Sequence, residues 1–388
     1  MIGAAPADRC HDLARLARPG LTVTAVHDGA FCRVEAVARP AIRMEFDLPP
    51  AARWSGRYYQ FGNGGFAGRY DRATLVAAAG RGDVAGATDT GHGGNGFDAG
   101  WAKGRPDLVR DYAWRSIKVT SDVARAVTFA YYGRDAARRY FMGCSFGGRQ
   151  ALVAAGRWPR DWDGVVAGAP ATDWPARWRA FTRLQAAVRA PGAWLDASQV
   201  AALVRTHDRR GLTAAQAAGV AAIERAGYPL AEADAAAWVQ WIYQPDPAVP
   251  SQATFAVQSR SIRATTRDFA VPMLRAFAAK GGKVVSYFGQ ADAVLPPGRA
   301  LADARSIGAA QDFYRLFLVP GMAHCQGGAA PHAIGQSLAA PAIDDADHDV
   351  RRAVEAWVER GRAPARLIAG TPGDPSRTAI LTAAKLPR

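Results

Sequence analysis

The sequence predicts an α/β fold, a doubly wound sheet interrupted by a short, mainly helical insertion. Three observations lead there. Short runs rich in β-branched and aromatic residues recur at both ends of the chain, bounded by glycine or turn signals. One such run passes through a glycine-flanked serine straight into a stretch of helix formers. From about residue 172 to residue 267 the pattern changes to alanine-rich helical stretches with tryptophans at 174, 178, 194, 238 and 241. The expected division is core over 1–172, a helical lid over 173–267, and core again over 268–388. A chain of 388 residues, 49% apolar, can bury one large core plus an insertion.

The elements follow in order. Arg57 to Phe61 reads as a strand, and the run Gly62-Asn63-Gly64-Gly65-Phe66-Ala67-Gly68 follows it. Glycines there let the backbone approach a ligand closely. Asp83 to Thr88 reads as a second strand, ahead of Asp89-Thr90-Gly91-His92. A helix is expected around Tyr112 to Tyr131. Arg139 to Met142 resembles a buried strand end, and Gln150 to Ala155 a helix. Gly164 to Gly168 is the next strand, closed by Pro170. In the insertion, most of the tryptophans are expected to lie in its own small core, with one or two facing the cleft to stack on an aromatic ring. Val284 to Phe288 is a buried strand, and Asp292 follows on a loop that Pro296-Pro297 keeps irregular. Aspartates of Asp344 to Asp349 are expected to cap a helix holding Val354 and Trp357. The tail beyond it is mostly extended.

Gly143-Cys144-Ser145-Phe146-Gly147 has the pattern G-x-S-x-G. Placed between strand and helix, it is the nucleophile elbow that exposes a serine Oγ at the top of an α/β-hydrolase sheet. That fold orders its triad Ser, Asp/Glu, His. Asp292 and His324 fit the order, with Asp292 just past a strand end and able to orient the histidine. The oxyanion hole is expected from the Phe146 amide plus that of Gly65 or Gly64. Cys144 adjoins Ser145 and Cys325 adjoins His324. A bond between those cysteines would make Ser145 and His324 neighbours, since a disulfide needs Cα atoms within about 7 Å. Two rival readings accompany these. Gly62-x-Gly64-x-x-Ala67 loosely matches a dinucleotide fingerprint, with Asp83 as its acidic residue. His92 competes with His324 as base, although chain order gives it a structural hydrogen bond instead.

The ordered series of segments resembles the tannase and feruloyl esterase family of secreted serine hydrolases. It includes Phe31-Cys32-Arg33-Val34, the Phe61 to Gly68 loop, Thr88 to His92, Tyr131-Tyr132-Gly133 and Gly143 to Gln150. It continues through Asp161 to Ala171, Gly281-Gly282-Lys283, Asp292, Phe313 to Gly321, His324-Cys325 and Trp357 to Gly361. The resemblance implies Ser145, Asp292 and His324 as the triad and esters of aromatic acids as substrates, of gallic, hydroxycinnamic or terephthalic type. It also implies the pairing Cys144 with Cys325, which leaves Cys10 with Cys32. Disulfides persist in oxidising compartments. A secreted or periplasmic location is therefore expected, with any signal peptide removed. Two departures stand out. The family's Asp-rich calcium loop is missing around Leu203 to Thr213, so no structural calcium, other metal or cofactor is expected. Phe146 follows the nucleophile where small or polar residues are common, and its ring could narrow the acyl pocket or face the core.

The formal net charge is +14. Arginine is spread along the chain, with no nucleic-acid module and no run near the roughly 20 apolar residues of a membrane span. The expected partner is a small aromatic ester, with neither nucleic acid nor membrane. Among Arg177, Arg179, Arg183, Arg189, Arg260, Arg263 and Arg267, one could hold a substrate carboxylate in a bidentate grip. A polyanion-binding protein, a non-catalytic binder on the same fold and an acyltransferase are the competing functions.

Overall fold

The computed structural model describes residues 10–28, 30–96, 98–230, 235–243, 269–336 and 343–387. Among these, the main sheet has nine strands in the order β1-β2-β3-β5-β4-β6-β7-β8-β9. They are β1 Leu21–Asp28, β2 Phe31–Ala38, β3 Ile42–Leu48, β4 Arg57–Phe61, β5 Val84–Thr88, β6 Arg138–Cys144, β7 Gly164–Gly168, β8 Lys283–Gly289 and β9 Tyr314–Val319. From β5 through β4 to β9 every pairing is parallel. The edge β1-β2-β3 is antiparallel and joins β5 antiparallel. β10 Arg366–Thr371 and β11 Asp374–Thr382 form a separate hairpin.

The parallel strands are buried on both faces, and so read as near-continuous apolar runs. β5 and β7 are buried throughout. Side chains alternate across the sheet. On one face Phe141, Val165, Val284 and Leu316 meet α2 Ser116–Tyr132 and α3 Phe146–Arg157. On the other, Tyr140, Met142, Val166, Val285 and Phe317 meet the C-terminal helix Val350–Arg360. That helix offers Val350, Ala353, Val354 and Trp357 as one stripe, the spacing of an amphipathic helix. The Asp349 side chain caps its start by accepting from the Arg351 amide at 2.7 Å, worth about 1 kcal/mol. α1 Arg72–Gly80 sits over Ala85 and Ala87 of β5.

The segment after β7 is helical. It contains α4 Trp174–Val188, α5 Ala197–Thr206, α6 Ala214–Arg225 and α7 Ala235–Ile242. Capping boxes start α5 at Asp196 and α6 at Thr213. These helices share their own apolar cluster, built from Leu184, Val188, Leu203, Val220, Ile223 and Tyr228 among others. Of the five tryptophans expected there, Trp194 is half-buried and meets Tyr243 edge-on. The side chains of Trp174, Trp178, Trp238 and Trp241 lie outside the described residues. No helix among the described residues is long and apolar enough to cross a membrane.

Candidate active site

Three loops at the C-terminal ends of the parallel strands converge. The first is the elbow. Ser145 sits between β6 and α3 with φ 60° and ψ −122°, a backbone conformation that costs about 1–3 kcal/mol and needs support. Its amide donates to Gly168 O at 2.9 Å, and its carbonyl accepts from the Arg149 and Ala171 amides. Gly147 lets the elbow press against the loop after β4, because a Cβ there would lie 3.0 Å from Asn63 O.

The second and third loops carry Asp292 and His324. Asp292 is fully buried. Its Oδ1 accepts from the Val294 and Leu295 amides at 2.8 and 2.9 Å. Its Oδ2 lies 2.8 Å from His324 Nδ1. The carboxylate can only accept, so Nδ1 carries the proton and Nε2 is left as the basic nitrogen. The two loops are also joined through the backbone, where the Ala291 amide donates to Met322 O at 2.9 Å. Cys325 is bonded to Cys144, with Cα atoms 5.9 Å apart across 181 residues of sequence. His324 is thus held from one side by a hydrogen-bonded carboxylate and from the other by a covalent tie to the residue before Ser145. Cys10 and Cys32 form a second disulfide, buried at the start of β2.

The glycine loop distinguishes among its own amides. Gly62 donates to Met142 O, Asn63 to Gln150 Oε1, Phe66 to Gly96 O, Ala67 to Gly64 O and Gly68 to Gly94 O, all between 2.8 and 3.1 Å. Among the described residues, the amides of Gly64 and Gly65 have no such acceptor. The Phe146 amide opens α3 and is one of the orphan donors of a helix start. The free donors are therefore on Phe146, Gly64 and Gly65. The loop contains no helix start, since α1 begins only at Arg72, which removes the basis of the dinucleotide reading. Asp83, its acidic partner there, is buried and accepts from Ser55 Oγ at 2.7 Å.

Phe146 faces the core. Its ring is buried and stacks on Tyr112 at 4.1 Å between centroids, with the Arg149 guanidinium 4.9 Å from its centre. His92 is also structural. Its Nε2 donates to Phe66 O at 2.8 Å, its ring stacks on Trp101, and burial lowers its pKa. Arg177 is not available to a substrate, being buried and ion-paired with Asp303. Arg179, Arg183 and Arg189 are exposed, and Arg260, Arg263 and Arg267 lie outside the described residues. Asp345 and Asp349 are spent on local hydrogen bonds. Among the described residues no three His, Cys, Asp or Glu side chains form a metal-binding group.

A family model for tannase and feruloyl esterase matches residues 23–209 and 241–382. The chain belongs to the tannase and feruloyl esterase family, a family of carboxylic ester hydrolases. An uncharacterised esterase of Xanthomonas campestris is 30% identical, covering 96% of this chain and 86% of the relative. That alignment is 497 residues long, so the relative carries stretches that a chain of 388 residues lacks. A probable feruloyl esterase B-2 of Aspergillus flavus is 27% identical over 92% of this chain and 82% of its own. Among solved structures, an esterase from Aspergillus oryzae superimposes with a TM-score of 0.80 at 19% identity, covering 98% of this chain and 96% of that one. Feruloyl esterase B from the same organism gives 0.76 at 23% identity, with the same coverage. The tannase and feruloyl esterase family thus shares this chain's α/β-hydrolase architecture.

Proposed function

We propose that the protein hydrolyses small esters of aromatic acids through an acyl-enzyme on Ser145. The observation that carries this reading is the doubly held histidine. His324 Nδ1 is 2.8 Å from Asp292 Oδ2, and Cys325 is bonded to Cys144 beside the serine. His324 Nε2 takes the Ser145 proton as Oγ attacks the ester carbonyl. Asp292 stays ionised and stabilises the imidazolium. The amides of Phe146 and of Gly65 or Gly64 hold the oxyanion. The imidazolium then protonates the leaving alcohol, and water cleaves the acyl-enzyme by the reverse sequence. Relatives named feruloyl esterase and tannin acyl hydrolase support an aromatic acyl group.

The helices between β7 and β8 are assigned as a reduced lid over 173–267. Their separate apolar cluster supports this, as does the gap in the family match at 210–240. Two disulfides support an oxidising compartment, so the protein is assigned as secreted or periplasmic. A fluorophosphonate probe tests the nucleophile. It should label one residue per chain, Ser145, and abolish ester cleavage in proportion. Labelling at another residue, or inhibition without labelling of Ser145, would contradict the assignment.

A further inference from the structure

We propose that Tyr112 is a positioning residue of the oxyanion hole, locking its two backbone segments against each other. The inference rests on the acyl-enzyme reading above. Tyr112 is fully buried. Its hydroxyl donates to Gly65 O on the loop after β4. Its ring stacks on Phe146, with centroids 4.1 Å apart and planes 10° from parallel. One side chain therefore grips the residue on each side of the hole whose amide is a proposed donor.

The grip matters because Gly65 is the glycine of this loop held in the left-handed region, at φ +55°. Fixing its carbonyl fixes the peptide plane between Gly65 and Phe66, whose amide donates to Gly96 O at 2.8 Å, and so anchors the loop immediately after the Gly65 amide. His92 grips the next carbonyl, that of Phe66. Tyr112 itself has no room to move. Phe66, Trp101 and Phe269 pack around it. Burial pushes its phenol well above the usual range, so it remains a neutral donor. It stands in a wide π-type turn, Asp111–Arg115, just before α2. Such turns recur at functional sites because they re-aim side chains out of the regular helix.

Removing a whole oxyanion donor costs about 10²–10³ in kcat, so mis-aiming one should cost about 10-fold. The test compares wild type, Tyr112→Phe and Tyr59→Phe. Tyr59 supplies the control, since its buried hydroxyl donates to Glu355 at 2.7 Å, on the face of the sheet covered by the C-terminal helix. Phenylboronic acid serves as probe because its tetrahedral serine adduct places an oxygen in the hole. Titration with a fluorophosphonate counts competent sites, so kcat refers to folded enzyme only. Tyr112→Phe should lower kcat about 10-fold, leave KM within about 2-fold, and weaken phenylboronic acid in step with kcat. Tyr59→Phe should lower Tm without lowering kcat. Unchanged kcat in Tyr112→Phe, or a loss shared equally by Tyr59→Phe, would overturn the role. Wild-type turnover by Ser145→Ala would instead overturn the acyl-enzyme reading beneath it.

Discussion

Gly64 and Gly65 are neighbours with opposite tolerance for a side chain. A Cβ on Gly64 meets nothing within 4 Å, whereas one on Gly65 would collide with the Gly96 carbonyl from a backbone at φ +55°. Gly65→Ala should therefore lower kcat by about 10–100-fold, and Gly64→Ala by less than about 3-fold. Steady-state kinetics on one ester checks both, and equal effects would contradict the geometry. At this scale the sequence was informative about chemistry and uninformative about orientation. Ser145, Asp292 and His324 could be proposed as a triad from sequence because an elbow motif, a strand end and chain order each constrain residue type, and Asp292 Oδ2 does lie 2.8 Å from His324 Nδ1. The ring of Phe146 was not readable. Its direction depends on Tyr112, which reaches it from a distant turn and which spacing marks only as the edge of a helix. Which of the insertion's arginines could meet a substrate was not readable for a related reason, since the partner that occupies Arg177, Asp303, is remote in sequence.

The elements differ in how firmly they hold the site. Cys144 and Cys325 are half-exposed, while Cys10 and Cys32 are buried. Mild reductant should open the first pair before the second and release the His324 loop. Loss of such a bond typically costs about 2–5 kcal/mol. Thiol mapping with parallel activity assays checks the order. Full activity with free thiols at 144 and 325 would contradict the role given to the bond. The strand end at β5 makes a separate pH prediction. Burial raises the Asp89 carboxyl from 3.8 to about 6, even though it accepts from the Gly91 and Arg43 amides. The unfolded chain therefore ionises Asp89 first, and stability falls as pH rises from about 4 to about 6. Asp89→Asn should match wild type near pH 4 and exceed it at pH 7 by on the order of 2 kcal/mol. Urea unfolding at the two pH values measures this, and a difference independent of pH would contradict it. Strands β4 and β7 run where the sequence places them, because runs buried on both faces leave few alternatives. The helix expected around Tyr112 to Tyr131 lies inside a longer helical run from Pro106 to Tyr132, and Tyr112 falls in its π-helical stretch Asp111–Arg115.

For the whole molecule, the α/β class was legible, but the order of strands was not. Nothing local tells β5 to lie between β3 and β4, or β1 to β3 to form an antiparallel edge. Those choices come from long-range pairing. They place β8 and β9 next to each other and β6 one strand away across β7, so that the loops carrying Ser145, Asp292 and His324 leave the same edge of the sheet. Arginines across the fold are held in ion pairs, among them Arg57 with Glu359 and Arg351 with Asp349. The most direct measurement of the central claim is hydrolysis of methyl gallate, methyl ferulate, chlorogenate, mono(2-hydroxyethyl) terephthalate and p-nitrophenyl butyrate by wild type and Ser145→Ala. The account predicts cleavage of at least one aromatic ester, with kcat reduced by about 10⁴-fold or more in Ser145→Ala. Aromatic ester cleavage that survives in Ser145→Ala, or wild-type cleavage confined to the butyrate, would contradict it.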